Sequence, residues 1–174
     1  MPELKGSLLV IDDELEIRES LETLLSLEGF AVESAGDARS GFERLERKPF
    51  DLVLLDVSLP DKSGLDLLEE IRSTNPALPV VMITAYGSVE TAVQAMRRGA
   101  SNYITKPWDN ERLVAEITTL IRQQRLTEEN RELKRTLKQR YSFSEIVGKS
   151  EVMQKVFDLV AQVERVDGAG DDRA

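Results

Sequence analysis

The 174-residue chain contains no cysteine and no histidine. Disulfides, thiolate and imidazole metal sites, and every catalytic scheme built on a Cys or His side chain are thereby excluded. Any bound metal must be a hard cation held by oxygen, such as Mg²⁺. Positive charge is also in short supply: 23 Lys and Arg stand against 32 Asp and Glu, a formal net charge of −9. That sign disfavours nonspecific contact with nucleic acid or anionic membranes, which carry the same charge. No apolar stretch approaches the roughly 20 residues that span a bilayer. Met1 to Gly6 also lack the charged-then-apolar pattern of a secretion signal. The expectation is a cytoplasmic protein with no membrane partner and no direct nucleic-acid partner.

Hydrophobic residues make up 41% of the chain, enough for the core of one ordinary domain with something smaller attached. Four short apolar runs end on residues suited to phosphate or metal. Leu8 to Ile11 ends on Asp12-Asp13, and Leu52 to Leu55 ends on Asp56. Val80 to Ile83 ends on Thr84, and Tyr103 to Thr105 ends on Lys106. Short β-branched runs separated by helix-length segments read as buried strands of a parallel sheet.

The intervening segments fit helices. Leu15, Ile17, Leu21, Leu24, Leu25 and Leu27 recur at helical spacing before Gly29, and Phe30 to Ser34 follows as a strand. Ala38 to Lys48 and Leu65 to Arg72 read as helices, the second closed by Asn75-Pro76. Val89, Ala92, Val93 and Met96 mark another, ended by Gly99, before a strand over Ser101 to Thr105. Five βα repeats predict a doubly wound α/β fold, a five-stranded parallel sheet of flavodoxin-like order 2-1-3-4-5.

From Glu111 to about Gln139 there is neither Gly nor Pro. Such a helix is on the order of 40 Å long, too long for one globular face. Leu113, Ile117 and Leu120 form one apolar stripe. Leu126, Asn130, Leu133 and Leu137 form a second at spacings of a coiled-coil seam, out of phase with the first. The first stripe is expected to pack on the domain. The second is expected to form a homodimer, with Asn130 as the buried polar register residue. The alternative is a solvated single helix. After a break at Ser142 to Gly148, a helix restarts near Ser150, with Val156, Leu159, Val160 and Val163 as its apolar face. Residues 166–174 have no apolar periodicity and are expected to be disordered.

Ligands of open α/β sheets bind outside the carboxyl ends of the strands, so the four endings should share one edge. Three carboxylates there repel by up to roughly 4 kcal/mol per pair at 4 Å, and Lys106 supplies a single positive charge. A Mg²⁺ held by Asp13, Asp56 and, through water, Asp12 would restore balance. Asp56 could then attack phosphorus to form an acyl phosphate. Thr84 and Lys106 would neutralise the phosphoryl oxygens. No strong general base is in sight, so hydrolysis should be slow and the phosphate a stored signal. Taken singly, Asp12 or Asp13 could be a helix cap, Thr84 structural and Lys106 a solvated charge. Their joint placement favours function.

Asp12-Asp13, Asp56 with Leu59-Pro60-Asp61 and Ser63-Gly64, Thr84-Ala85 and Lys106-Pro107 together resemble the receiver domain of two-component response regulators. The resemblance covers Ser7 to about Ile121, and Trp108 stands where that family often has Phe. It implies that Asp56 accepts phosphate from a sensor histidine kinase and that Asp12 and Asp13 hold Mg²⁺ with the Ser58 carbonyl. It also implies switch roles for Thr84 and Tyr103. Ala85 to Val93, Gly99-Ala100 and Ile146 to Ser150 further resemble NtrC-like regulators, in which the last segment opens an AAA+ ATPase domain acting on sigma-54 RNA polymerase. The implied organisation is a receiver over 1–121, a coiled-coil linker over 122–141 continuous with a helix from about 110, the start of a truncated ATPase domain over 142–165, and a tail over 166–174. No GxxxxGK[ST] phosphate loop follows within the chain, so the ATPase domain would be a partner in a longer protein.

Two other readings compete. A Mg²⁺-dependent aspartyl-phosphate phosphatase of haloacid-dehalogenase type shares the Asp, Thr and Lys set. It wants a second Asp two residues after the nucleophile, where Ser58 stands, and its nucleophile follows the first strand. A pure coiled-coil scaffold leaves the strand-end cluster unexplained.

Overall fold

The short apolar runs are strands, and their alternation sorts the core into two layers. The structure, a computed structural model, describes residues 3–142, 155 and 158–163. Strands β1 (Ser7–Ile11), β2 (Ala31–Ala35), β3 (Leu52–Asp56), β4 (Val80–Thr84) and β5 (Asn102–Thr105) alternate with helices. These are α1 (Leu15–Leu27), α2 (Ala38–Arg47), α3 (Gly64–Thr74), α4 (Val89–Arg97) and α5 (Asn110–Ser142). All strand pairs are parallel, in the order β2-β1-β3-β4-β5. The central strands β3 and β4 are buried throughout, whereas the edge strands β2 and β5 are mostly half-buried.

Successive strand side chains point to opposite faces. Leu9, Ile11, Val53, Leu55, Val80 and Met82 pack with Ala38 of α2, Leu67, Leu68 and Ile71 of α3, and Ala95 of α4. Leu8, Val10, Leu52, Leu54, Val81 and Ile83 pack with Leu21 and Leu25 of α1 and with Leu113, Ile117 and Ile121 of α5. Helices α2, α3 and α4 therefore cover one face, and α1 and α5 the other. Full burial of each such aliphatic side chain is worth roughly 1.5–3 kcal/mol.

The structure amends the sequence reading in detail. Strand β2 starts one residue later than expected, with Phe30 buried just before it. Helix α3 starts at Gly64 behind a Ser63 cap, whose hydroxyl accepts from the Leu65 N–H. On α1, Leu15 and Leu27 are exposed although they belong to the leucine series. On α4, Val89, Val93 and Met96 are exposed and only Ala95 is buried. The first stripe of α5 is Leu113, Ile117 and Ile121, with Leu120 half-buried. Helical periodicity identifies an apolar face but not whether anything covers it.

By contacts the chain divides into two units, Met1–Gln124 and Arg125–Ala174. In the second, Leu126 and Leu133 are exposed, Asn130 is exposed and Leu137 is half-buried. Asp158 to Val163 is helical, with Leu159 exposed and Val160 half-buried. Ser142, expected to begin a break, is still helical as the last residue of α5. The rest of that break over 143–148, Val156 and the tail over 166–174 lie outside the described residues. Among the described residues, no helix is long and apolar enough to cross a membrane.

Candidate functional site

β1 connects through α1 to β2 on one side of the sheet, whereas β3 lies on the other side of β1. The carboxyl ends of β1 and β3 therefore flank the point where strand order reverses, the place where doubly wound sheets open a crevice. Asp12 follows β1 and Asp56 ends β3, and both are buried. The turn after β1 is fixed through the Asp12 backbone. Its N–H donates to the Ala35 carbonyl at 3.1 Å, and Arg18 Nη1 donates to its carbonyl at 2.7 Å. Asp12 Oδ1 accepts from the Glu14 N–H at 2.9 Å. The helix-cap alternative for the acidic pair is not realised: Glu14 holds the N-cap position of α1 and makes no side-chain cap bond.

Asp56 is held by the loop that follows it. The Ser58 N–H donates to Asp56 Oδ1 at 3.3 Å. Gly64 packs directly on the Asp56 backbone: a Cβ there would lie 2.0 Å from the Asp56 carbonyl oxygen. No side chain fits in that space, which accounts for glycine at the start of α3.

Lys106, after β5, reaches into the crevice with its side chain 10% exposed. Its Nζ lies 2.8 Å from Asp12 Oδ2, 3.1 Å from Glu14 Oε1 and 3.4 Å from Asp56 Oδ2. Glu14 is thus a member of the cluster that the sequence reading passed over, although its position beside the acidic pair was a signal. Carboxylate oxygens of Asp12, Asp13, Glu14 and Asp56 all lie within 4.8 Å of one another, the buried Asp12 and Asp56 beneath the exposed Asp13 and Glu14. Four carboxylates face one ammonium.

The electrostatics follow from that imbalance. Burial and then the charge of Asp12 push the Asp56 carboxyl up to about 6, against the opposing pull of Lys106 and the Ser58 N–H. Burial works against the Lys106 ammonium, but hydrogen bonds to Asp12 and Glu14 and the charges of Asp12 and Asp56 outweigh it and hold the group above the usual lysine range. The ion pair therefore leaves Asp56 short of positive charge. An all-oxygen donor set with excess negative charge, in a chain without Cys or His, fits a hard divalent cation.

Thr84 ends β4, buried, and the Lys106 N–H donates to its carbonyl at 2.8 Å. Its Oγ1 accepts from the Tyr86 N–H at 3.1 Å, and the Tyr103 hydroxyl donates to the Tyr86 carbonyl at 2.8 Å. One peptide segment thus connects the two predicted switch residues. Tyr103 is half-buried against the core, and burial raises its hydroxyl above the ordinary tyrosine value despite an opposing Thr84 contact. Sequence reasoning could not find the Tyr86 link, because it runs through main-chain atoms. Trp108, the departure noted above, packs against the α1/α5 layer and donates from Nε1 to Asn110 Oδ1 at 3.0 Å.

A doubly wound sheet with an acidic crevice at its switch point, a strand-end aspartate and a reaching lysine defines a class of phosphate- and metal-handling α/β domains. Comparison with known proteins gives the family: residues 8–118 match the response regulator receiver domain, and the chain belongs to that family. Its relatives are NtrC-like regulators of the sigma-54 activator type. It is 47% identical over 114 residues to the response regulator protein PilR of Pseudomonas aeruginosa, a match covering 66% of this chain and 26% of PilR. It is 32% identical over 156 residues to the regulatory protein AtoC of Escherichia coli, covering 90% of this chain and 34% of AtoC. The chain thus spans about a quarter to a third of these two curated relatives. A solved structure of the beryllofluoride-activated NtrC4 receiver domain dimer is similar at TM-score 0.66 and 33% identity, covering 70% of this chain and 99% of that one.

Proposed function

We propose that the domain is a phosphorylation-dependent switch in which Asp56 accepts a phosphoryl group from a phosphohistidine on a sensor kinase. The observation that carries the reading is the buried, undercompensated Asp56 beside Lys106 at the sheet's switch point. A carboxylate oxygen of Asp56 attacks phosphorus, the donor P–N bond breaks, and its electron pair leaves with the imidazole, which takes up a proton. Asp12, Asp13, Asp56 and the Ser58 carbonyl would hold Mg²⁺, which supplies charge neutralisation for the phosphoryl oxygens. Lys106, already within reach of Asp56, pairs with the phosphoryl group, and the Thr84 hydroxyl turns toward it. That turn releases the Tyr86 N–H from Thr84 and lets Tyr103 shift. The surface of α4, β5 and α5 repacks in response.

The output is a change in dimerisation through the distal part of α5, which in a longer protein would govern a sigma-54-activating ATPase domain. The domain is a signalling module rather than a turnover enzyme, acting in the cytoplasm.

The test is incubation with acetyl phosphate and Mg²⁺ followed by intact-mass measurement. One phosphoryl group per chain is expected, absent in Asp56→Asn. Many turnovers of donor per chain would support the phosphatase instead, and a label that survives Asp56→Asn would sink the assignment.

A further inference from the structure

The loop between β3 and α3 is closed at its base and anchored at its tip. At the base, Ser58 and Ser63 form an antiparallel bridge, and the Gly64 N–H donates to the Val57 carbonyl at 2.7 Å. At the tip, Lys62 pairs with Glu70 of α3. Asp61 reaches the other way: its Oδ1 accepts from the Ala38 N–H at 2.9 Å and its Oδ2 from the Arg39 N–H at 3.0 Å. These are first-turn donors of α2, which have no partner within the helix and sit at its positive end. Both carboxylate oxygens of an exposed loop residue are therefore committed to a helix more than 20 residues away.

Helix α2 does not depend on this for its start. Asp37 caps it in the ordinary way, accepting from the Ser40 N–H at 2.7 Å. What the second carboxylate fixes is the loop. That loop presents the Ser58 N–H to Asp56, so its position sets how the Asp56 carboxylate is turned.

We propose that Asp61 is a positioning residue for the cation pocket: by anchoring the β3–α3 loop to the start of α2, it holds the Ser58 backbone against Asp56 and strengthens divalent-cation binding. The inference rests on the reading that this pocket binds Mg²⁺. Coupling of this kind is reciprocal, so bound cation must in turn tighten the contact between Asp61 and α2.

The test is calorimetric titration of Mg²⁺ into the full chain and into Asp61→Ala, Asp61→Asn and Asp37→Ala. Asp61→Ala should weaken Mg²⁺ binding about tenfold, at the low end for residues that orient metal ligands from outside. Asp61→Asn, which keeps one acceptor oxygen, should fall between Asp61→Ala and the parent. Asp37→Ala removes the same charge and a cap from the same helix end without touching the loop. It should lower the melting temperature yet keep the parent affinity. Equal Mg²⁺ affinity in Asp61→Ala and Asp37→Ala would overturn the proposal. A parent chain that binds no Mg²⁺ would instead overturn the pocket reading beneath it. Amide exchange gives an independent readout: Mg²⁺ should slow exchange at Ala38 and Arg39 in the parent and not in Asp61→Ala, and unchanged exchange in the parent would count against the coupling.

Discussion

Two regions of the molecule break the usual rule of burial in opposite directions. At the ends of β1 and β3 charged groups are buried, with Asp12 2% and Asp56 4% exposed. Along α4 and the distal part of α5 large apolar groups are exposed, with Val89 at 82% and Leu133 at 61%. The sheet interior shows neither anomaly. Buried like charges raise the free energy until a cation or proton joins them, and exposed apolar stripes do so until another surface covers them. On the function proposed above, a hard cation and a phosphoryl group would complete the pocket, and an apolar helix face would cover the stripe.

The largest expected effect separates the two halves of α5. Ile117 is fully buried, and Ile117→Ala should cost about 2–5 kcal/mol in urea unfolding. Leu133→Ala at a dilution where the chain is monomeric should stay within about 0.5 kcal/mol of the parent. Equal losses would show that the distal leucines are already packed within the chain, and the contrast would fail.

Next comes the buried carboxylate. With its pKa pushed up to about 6, Asp56 binds a proton more tightly in the folded than in the unfolded chain. Its folded form is favoured at low pH and loses stability as pH rises from about 4 to about 6. At pH 7 without divalent ions, Asp56→Asn should therefore be more stable than the parent by up to about 3 kcal/mol. The advantage should vanish near pH 4 and shrink when Mg²⁺ is added to the parent. A destabilised Asp56→Asn at pH 7 would mean that Lys106 fully compensates the pocket.

Much of this was legible in residue order, and the parts that were not share a cause. The five parallel strands and the convergence of Asp12, Asp13, Asp56, Thr84 and Lys106 on one edge follow from periodicity and from the geometry of parallel sheets. Periodicity left other strand orders open, and the structure decides for 2-1-3-4-5. Exposure of Leu15, Val89 and Met96 was hidden, because period 3.6 marks an apolar stripe without saying what lies against it. The Tyr86 bridge and the Arg18 hold on the Asp12 carbonyl use main-chain atoms, which any residue supplies. Asp61 was visible as part of a loop motif, but its tie to α2 depends on how two distant segments meet. Most of the strand-end cluster could thus be read directly, Glu14 excepted, whereas the supports that orient it could not.

The smallest effect probes how the exposed stripe is completed. If Asn130 faces its copy in a parallel seam, Leu126 and Leu133 occupy the alternate core positions and Leu137 the next. Glu129 then flanks the Asn130 layer, and Lys134 of a second copy, five residues further along, lies within reach across the interface. An antiparallel seam would not bring these two charges together. Glu129→Lys should weaken dimerisation by up to about 1 kcal/mol at low salt. Combining it with Lys134→Glu should restore the parent value, and about 1 M salt, where the screening length falls to roughly 3 Å, should erase the difference. Sedimentation equilibrium of the single and double variants decides the point. If the double variant stays as weak as the single one, the copies do not meet in a parallel register, and the exposed leucines must be covered in another way.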